Sequence, residues 1–272
     1  MIKMIALDLD NTLLMKDLTV PQETIDVLHQ AADRGVYVVI ASGRMYAAAK
    51  RYADMIGSAD PVVSCNGSDI RDGEGNRIFE GGFSVELLRE MIPLFLENNL
   101  YFQLYWGDSI VIDRWNDYTE AYPDAHIQPV IQVGSWEAVL NGTAEGIRLQ
   151  PSPKALLVAE PEKMDEAVEI IRRGMGDRVD MTRSNSRYLE ILAPGVSKRE
   201  GLRILAERLG IRQSEVMACG DNLNDLEMVS WAGVGVAMAN AVPGLKEAAD
   251  YVTAAERSFG VAEAVRKFVL GE

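Results

Sequence analysis

Two carboxylates separated by one residue follow the first apolar run of the chain. Residues 4–7 read Met-Ile-Ala-Leu, and the chain then continues through Asp8, Asp10 and Thr12. In a parallel α/β sheet, ligands bind beyond the carboxyl ends of strands, where loop backbone and helix N-termini meet anionic groups. Asp8 and Asp10 are therefore placed for metal and phosphate chemistry. The alternative is that Asp10 or Thr12 caps a following helix and that Asp8 is a solvated strand end.

Three later segments repeat this pattern of a regular run next to small polar or charged residues. They are 36–41 followed by Ser42, Gly43 and Arg44, a helical pattern that begins at Lys198, and 216–219 followed by Gly-Asp-Asn-Leu-Asn-Asp. Taken singly, Ser42 is typical of a helix cap and Lys198 of a solvated lysine. Read in order, the segments supply an acid pair, a hydroxyl, a lysine and a second acid pair.

This order and spacing closely resemble the haloacid dehalogenase superfamily of aspartate-nucleophile phosphatases, and within it the Cof-type branch of subfamily IIB. The resemblance runs from Ile2 nearly to the C-terminus. It implies an α/β fold, with a doubly wound, Rossmann-like parallel sheet as the core and an inserted α/β cap domain. Asn11 and Arg199 depart from the family pattern, because glycine is common at both positions. Asn tolerates left-handed backbone, so the chain can still turn after Asp10.

The resemblance also implies roles for individual residues. Asp8 would be the nucleophile, Asp10 the general acid and base, and Lys198 the positive charge that stabilises the transition state. Asp10 would bind metal through its backbone carbonyl, and Asp225 would orient the lysine or a metal-bound water. The full metal set is Asp8, Asp10, Asp221 and Asp225. The set expected to bind phosphate and substrate is Thr12, Ser42, Gly43, Arg44, Lys198 and Asn224.

An anionic substrate can approach an anionic nucleophile only if a cation intervenes. Two full charges about 4 Å apart repel by about 4 kcal/mol at an effective dielectric near 20, so Asp8, Asp221 and a phosphate need a metal in order to coexist. Hard carboxylate oxygens in octahedral geometry suit Mg²⁺. Mg²⁺ is therefore the predicted cofactor, and a small phosphorylated metabolite, such as a sugar phosphate, is the predicted substrate.

Two other functions are compatible with the same residues. A phosphomannomutase-like enzyme of this fold would return the phosphoryl group to a sugar instead of to water. A regulatory module would bind Mg²⁺ and become phosphorylated without substrate turnover. An inserted cap argues against the regulatory module, because lids exclude water and select substrate.

A different phosphatase chemistry is suggested by the five-residue spacing between Cys65 and Arg71, which is that of thiolate phosphatases. Their mechanism needs a loop of inward-facing N–H groups around the phosphate and a helix after it that depresses the thiol pKa. Asp69 would place a carboxylate in that loop, and 72–76 reads as a turn rather than a helix. We therefore expect Cys65 to be buried beside the end of the sheet.

Other enzyme classes are excluded on simpler grounds. The only histidines, His29 and His126, do not lie in a pattern typical of phosphohistidine chemistry or of a zinc site. The segment 233–238 lacks the third glycine of a dinucleotide-binding fingerprint and reads as a strand, so we do not expect a Rossmann dehydrogenase.

The composition is that of a folded globular protein. The chain has 272 residues, 48% hydrophobic and 25% charged, which is enough for two domains with ordinary cores. Its formal net charge of −14 argues against nucleic acid or an anionic membrane as a partner, because both attract clustered Lys and Arg. No apolar run approaches the roughly 20 residues that span a bilayer or forms a signal-peptide core, which predicts a cytoplasmic protein. Cys65 and Cys219 each lie near the end of an apolar run, where buried thiols are common, so we expect no disulfide.

Strand patterns alternate with helical patterns, which is typical of βαβ units and a parallel sheet. The predicted core strands are 4–7, 36–41, 62–64, 216–219, 234–237 and 251–252. Between 83 and 187 the pattern changes to a helix, a hairpin around Gly107 and Asp108, and further strand-helix alternation. We therefore expect a core formed by 1–82 and 188–272 and a cap formed by 83–187.

Overall fold

The structure, a computed structural model, describes residues 1–121 and 128–272, so His126 lies outside the described residues. The chain divides into two compact units, of which the first comprises Met1–Glu80 and Ser197–Glu272 and the second Gly81–Val196. Each unit has a sheet of its own. Within the described ranges, no helix is both long enough and apolar enough to cross a membrane.

The strands and helices follow one another in regular alternation over most of the chain. The strands are β1 (Met4–Leu7), β2 (Tyr37–Ala41), β3 (Val62–Ser64), β4 (Asp69–Arg71), β5 (Arg77–Glu80), β6 (Tyr101–Trp106), β7 (Ser109–Ile112), β8 (Val130–Gln132), β9 (Ala155–Val158), β10 (Asp180–Arg183), β11 (Tyr188–Leu192), β12 (Val216–Gly220), β13 (Val234–Ala237) and β14 (Tyr251–Val252). The helices are α1 (Gln22–Asp33), α2 (Tyr46–Met55), α3 (Val85–Glu97), α4 (Asp117–Ala121), α5 (Trp136–Leu140), α6 (Pro161–Met175), α7 (Lys198–Leu209), α8 (Leu226–Trp231), α9 (Pro243–Ala248) and α10 (Arg257–Val265).

The sheet of the first unit has the strand order β14-β13-β12-β1-β2-β3-β4-β5. The strands from β14 to β3 are parallel, and β4 and β5 extend one edge in antiparallel orientation. Side chains alternate between the faces of a strand. Ile5 and Leu7 belong to a buried cluster that includes residues of α1, α2 and α10, and Met4 and Ala6 to one that includes residues of α7 and α8. The doubly wound α/β core predicted from the sequence is confirmed.

The sheet of the second unit has the order β10-β11-β9-β6-β7-β8 and is antiparallel except for the pair β7 and β8. The predicted hairpin at Gly107 and Asp108 joins β6 to β7. One face is covered by α3 and α6, whose apolar residues cluster with Phe102 and Leu104. The sequence-based boundary at 187 falls inside this unit, because β11 pairs with β9 and β10. Strand β11 therefore belongs to the second unit and not to the core, to which the predicted boundary assigned its residues.

Candidate active site

The carboxyl ends of β1 and β12 bring two of the predicted acidic residues side by side. These strands are parallel neighbours, with Leu7 opposite Cys219, and the Asp8 N–H donates to the Cys219 carbonyl at 3.1 Å. The chain turns directly after Asp8 with Asn11 in the left-handed region at φ 63°. The Asn240 side chain donates to the Asn11 carbonyl at 2.9 Å and holds this turn. Asparagine thus makes the turn at a position where glycine is common in the family.

Lys198 enters the site from the first turn of α7. Ser197 caps the helix, and its hydroxyl accepts from the Glu200 N–H at 3.3 Å. The buried Lys198 ammonium donates to Asp8 Oδ1 and to Asp225 Oδ1, both at 2.6 Å. The lysine is therefore held between two carboxylates and is not solvated.

Two glycines allow α7 to begin this close to the loop after β3. A Cβ on Gly67, where φ is 97°, would lie 2.1 Å from the Ser197 carbonyl oxygen. A Cβ on Gly201 would lie 3.0 Å from the Gly67 Cα. Any larger side chain at either position would move the start of α7 and with it Lys198.

The second acid pair of the sequence, Asp221 and Asp225, forms hydrogen bonds with both backbone and side-chain groups. Asp225 Oδ1 accepts from Lys198, and Oδ2 accepts from the N–H groups of Asp221 and Asn222 at 2.9 and 3.1 Å. The Thr12 hydroxyl donates to Asp221 Oδ1 at 3.2 Å. One carboxylate oxygen from each of Asp8, Asp221 and Asp225 lies within 4.8 Å of the others. Oxygen donors at such distances suit a hard divalent cation.

Three buried carboxylates around one ammonium leave this cluster short of positive charge. Burial, and next the charges of Asp225 and Asp221, raise the pKa of Asp8 well above its usual value, although Lys198 acts in the opposite direction. Burial and the Asp225 charge likewise raise the pKa of Asp221 to about 7. Burial alone would lower the pKa of Lys198, but Asp225 and Asp8 outweigh it and raise the pKa. The protein therefore favours retention of a proton, or uptake of a cation, at this cluster.

Comparison with known proteins agrees with this geometry. The profile of the family described as haloacid dehalogenase-like hydrolase matches residues 5–265. The chain belongs to the haloacid dehalogenase-like hydrolases. The family and the enzyme class predicted from the sequence are thereby confirmed.

Similar proteins match the chain of this hydrolase over nearly its whole length. It is 34% identical over 276 residues to YxeH of Bacillus subtilis (strain 168), with 100% of each chain covered. It is 29% identical over 269 residues to the 5-amino-6-(5-phospho-D-ribitylamino)uracil phosphatase YcsE of the same organism, with 99% of this chain and 96% of the relative covered. A crystal structure of a haloacid dehalogenase-like hydrolase from Bacteroides thetaiotaomicron is similar with a TM-score of 0.84 and 27% identity, covering 98% of this chain and 99% of that one.

Asp10 and Arg44 form a bidentate ion pair at the edge of the cluster that contains Asp8 and Lys198. Arg44 Nε and Nη2 donate to the two Asp10 carboxylate oxygens at 2.8 and 2.7 Å. The Arg44 side chain is 7% exposed and that of Asp10 is 50% exposed. The guanidinium also lies 5.3 Å from the ring centroid of Tyr52. Arg44 precedes α2, which begins at Tyr46, and its buried side chain points toward Asp10 and not into solvent.

Ser42, Gly43 and Asn66 lie together at the ends of β2 and β3. The Ser42 hydroxyl accepts from the Arg44 N–H at 3.1 Å and does not cap α2. A Cβ on Gly43 would lie 3.2 Å from Asn66 Oδ1. The Asn66 carboxamide is buried, and neither of its polar atoms has a hydrogen-bond partner among the described residues. Asn66 has a left-handed φ of 55°, and a buried amide without a partner among those residues favours a contact with a ligand.

The remaining predicted residues follow β12 and open α7. Asn222 caps the turn after β12, since its side chain accepts from the Leu223 N–H at 2.8 Å. Asn222 therefore acts as a cap, while Asp225 both caps this turn and binds Lys198. Asn224 is half-buried in the same turn, and Arg199 is exposed.

The thiolate alternative at Cys65 is wrong. Cys65 is buried, as expected. The end of the loop forms strand β4, and the element that follows Arg71 is strand β5 rather than the helix that the mechanism requires. Arg71, the arginine of that pattern, pairs with Asp69 at 2.8 Å. Burial raises the pKa of the second thiol, Cys219, to about 12, and neither cysteine forms a disulfide.

Proposed function

We propose that this hydrolase is a Mg²⁺-dependent phosphatase that transfers the phosphoryl group of a small phosphorylated metabolite to Asp8 and then to water. The observation that carries the proposal is the buried cluster of Asp8, Asp221 and Asp225 around the single ammonium of Lys198. A cluster of this kind holds a nucleophile, a fixed positive charge and an excess of oxygen ligands in one place. Phosphoryl transfer depends on these three components.

The donor set fits Mg²⁺. Asp8 and Asp221 would hold the ion with the backbone carbonyl of Asp10, while Asp225 is committed to Lys198 and to two backbone N–H groups. We therefore assign Asp225 to positioning the lysine instead of to the metal. When bound, Mg²⁺ supplies Lewis-acid polarisation and offsets the repulsion between carboxylates and phosphate.

Asp8 is the nucleophile in this proposal, because it lies at the strand end with one oxygen held by Lys198 at 2.6 Å. Its attack on phosphorus forms an aspartyl-phosphate and releases the alcohol portion of the substrate. Water then attacks that intermediate and restores the carboxylate. The fixed ammonium of Lys198 stabilises the negative charge that develops on the transferred group.

Asp10 is the general acid and base. It protonates the oxygen of the departing alcohol in the first step and takes a proton from the attacking water in the second. Arg44 contacts both Asp10 oxygens, so we assign it to orienting this carboxyl in addition to the phosphate contact predicted from the sequence. Each Asp10 oxygen keeps a second lone pair, so the carboxyl can exchange a proton while Arg44 holds it.

The phosphate oxygens are bound in this proposal by small polar groups around the cluster. Thr12, Ser42 and Asn224 supply side chains, and the backbone at Gly43 supplies room for close approach. We add Asn66, whose buried carboxamide has no partner in the described residues. A phosphate oxygen would satisfy its amide donor, which explains why an unpaired polar group persists there.

The substrate is in our proposal a phosphorylated sugar or polyol. The name of YcsE gives a phosphoribityl compound as the substrate of that relative, which supports this choice. A cytoplasmic location is part of the proposal and agrees with two buried cysteines outside any disulfide.

Turnover of 4-nitrophenyl phosphate, with free phosphate measured, tests the proposal. We expect hydrolysis that requires Mg²⁺, stops in excess chelator and survives iodoacetamide. Activity that persists in chelator and is lost on alkylation would contradict the Asp8 mechanism. Stoichiometric phosphorylation without turnover would favour the regulatory module, and transfer of phosphate to an added sugar the mutase.

A further inference from the structure

A pocket of about 260 Å³ opens in the first unit beside Asp10. Its lining includes Asp10, Asn11, Leu14, Lys16, Leu18 and Arg257. A larger cavity of about 660 Å³ shares Lys16 and Arg257 with it. Neither step of the proposed phosphoryl transfer uses Lys16 or Arg257.

Positive charge exceeds negative charge at the smaller pocket. Neither Lys16 nor Arg257 has a carboxylate within salt-bridge distance in the part of the chain that the structure describes. Arg257 Nη1 reaches only the Leu14 carbonyl at 3.4 Å, and its buried Nε has no hydrogen-bond partner among those residues. Asp10 is the only acid in the lining, and Arg44 already holds both of its oxygens. In a chain of net charge −14, two such cations at one pocket indicate an anionic ligand.

Backbone strain is concentrated at the same pocket. Six non-glycine residues of the described chain have φ in the left-handed region, and three of them, Asn11, Leu18 and Arg257, line this pocket with φ of 63°, 61° and 52°. Asn adopts this conformation readily, but Leu and Arg do not. Residues held in such conformations cluster at ligand sites, where the fold maintains them against their preference.

The position of Asp10 indicates which part of a ligand reaches the pocket. Under the proposed function, Asp10 protonates the oxygen of the departing alcohol, so atoms beyond that oxygen lie next to the residues that line the pocket with Asp10. The acids Asp17 and Glu256 line only the larger cavity. An anionic group would therefore bind in the smaller pocket, where no uncompensated carboxylate repels it.

We propose, on the basis of the proposed function, that Lys16 and Arg257 bind a second anionic group on the alcohol portion of the substrate. The preferred substrates are then phosphate monoesters of small sugars or polyols that also carry a carboxylate or a second phosphate. Lys16 donates from its ammonium and Arg257 from the Nε that lacks a partner. This arrangement selects substrates by charge on the core unit itself.

Two pairs of esters that differ in one group test the proposal. Glycerol 3-phosphate differs from 3-phosphoglycerate, and sorbitol 6-phosphate from 6-phosphogluconate, by a hydroxymethyl group in place of a carboxylate. We expect wild type to have the higher kcat/KM for the carboxylate member of each pair, and this preference to fall as salt is raised. Lys16→Met should reduce the preference about tenfold, the loss expected for one charge-assisted hydrogen bond.

Arg208→Met is the matched control. It also removes one positive charge, but from the last turn of α7, about 15 Å along the helix from Lys198. We expect it to leave the preference unchanged. Arg257→Lys retains the charge and removes the Nε donor, so it should reduce the preference less than Lys16→Met does. Thermal melts establish that each variant is folded, and Lys16 is exposed, so its substitution leaves the core intact.

The outcomes separate this inference from the proposed function. Equal kcat/KM for the two members of each pair in wild type, or equal effects of Lys16→Met and Arg208→Met, would overturn the anion pocket and leave the phosphatase in place. If wild type hydrolyses none of the four esters or 4-nitrophenyl phosphate, the proposed function fails. In that case, calorimetric binding of 3-phosphoglycerate tests the anion pocket independently of turnover. A higher Kd in Lys16→Met than in wild type supports the pocket, and an unchanged Kd contradicts it.

Discussion

Each unit contains a cluster of buried charged side chains, and the two clusters differ in charge balance. In the first unit, Lys198 faces Asp8 and Asp225 at 2.6 Å, with Asp221 close by. In the second unit, Lys154 lies 2.7 Å from Glu190, and both side chains are almost fully buried. The Ser184 hydroxyl donates to the other Glu190 oxygen at 3.1 Å, and the Lys154 ammonium lies 4.8 Å from the ring centroid of Tyr105.

Charge balance determines whether a buried ionic cluster requires a ligand. One ammonium and one carboxylate compensate each other, so the pair in the second unit requires no ligand and stabilises only its own geometry. Three carboxylates around one ammonium leave charge uncompensated, which is costly in the interior unless something binds. Charge imbalance, and not burial alone, therefore distinguishes the first cluster as the candidate site. Substitutions in both clusters test this distinction, and the largest effect is expected at the nucleophile.

Asp8→Asn should have the largest effect. The amide keeps an oxygen for Lys198 but is no nucleophile, so we expect kcat for phosphate release to fall at least about 10³-fold. The variant should melt no lower than wild type in metal-free buffer, because one repelling carboxylate is gone. Substantial residual hydrolysis would refute the assignment of Asp8 as nucleophile.

Lys154→Met should destabilise the second unit by about 3–5 kcal/mol, because it leaves the Glu190 carboxylate buried without its partner. The double variant Lys154→Met with Glu190→Leu should regain most of that loss. Urea unfolding followed by circular dichroism measures both. A double variant as unstable as the single one would show that the pair contributes packing and not charge balance.

Arg44→Met tests a third case, the charge-balanced pair of Arg44 and Asp10 next to the charge-unbalanced cluster of the first unit. The question is whether such a pair contributes to catalysis. Without its guanidinium partner, Asp10 is no longer oriented toward the departing oxygen. We expect kcat for glycerol 3-phosphate to fall about 10–100-fold, and kcat for 4-nitrophenyl phosphate to fall less, because nitrophenolate leaves without protonation.

Arg44→Lys is the control for this prediction. It keeps the charge but not the two-pronged contact, so it should restore little of the lost activity. Equal losses on the alkyl and the aryl ester would instead assign Arg44 to the transferred phosphate.

Asp221→Asn should give the smallest effect, on stability in metal-free buffer. The pKa of Asp221 is about 7 in the folded protein and 3.8 in an ordinary aspartate. As the pH rises through this window, the unfolded chain ionises first, so the folded state loses stability. Near pH 4 the unfolded aspartate is only about half ionised, so little of this loss has occurred.

The Asp221→Asn variant cannot ionise and still offers an oxygen to Thr12. We therefore expect it to melt about 2–8 °C above wild type at pH 8 and by a much smaller margin at pH 4. Added Mg²⁺ should raise the Tm of wild type at pH 8 more than that of the variant. An equal difference in Tm at both pH values would contradict this account.

Local pattern was sufficient to locate the core strands. Runs such as Met4–Leu7 and Val234–Ala237 are continuous and apolar, because parallel strands are covered on both faces. Strands β4 and β5 were not predicted, since Asp69–Arg71 and Arg77–Glu80 are short, charged and close to the sheet edge. Edge strands lack the burial that makes a strand readable in sequence.

The candidate site likewise contains some residues that local pattern predicts and some contacts that only the fold reveals. The order of the motifs was sufficient to predict that Asp8, Lys198 and Asp221 lie together, because each follows or opens a regular element. The Arg44 contact with Asp10 joins residues 34 apart and depends on how two loops face each other, which no local pattern encodes. The pocket at Lys16 and Arg257 depends on a separation of 241 residues and could be found only from the fold.

The close approach of Ser197 to Gly67 has a consequence for recombination between relatives. Ser197 is the first residue after the second unit and also the cap of α7, and its contact with Gly67 lies wholly within the first unit. A chimaera joined after Glu80 and before Ser197 therefore carries a foreign insertion without losing the contact that seats Lys198. A chimaera joined at 187 would separate β11 from its partners β9 and β10. A junction immediately before Ser197 should therefore allow insertions to be exchanged between relatives while Lys198 keeps its position.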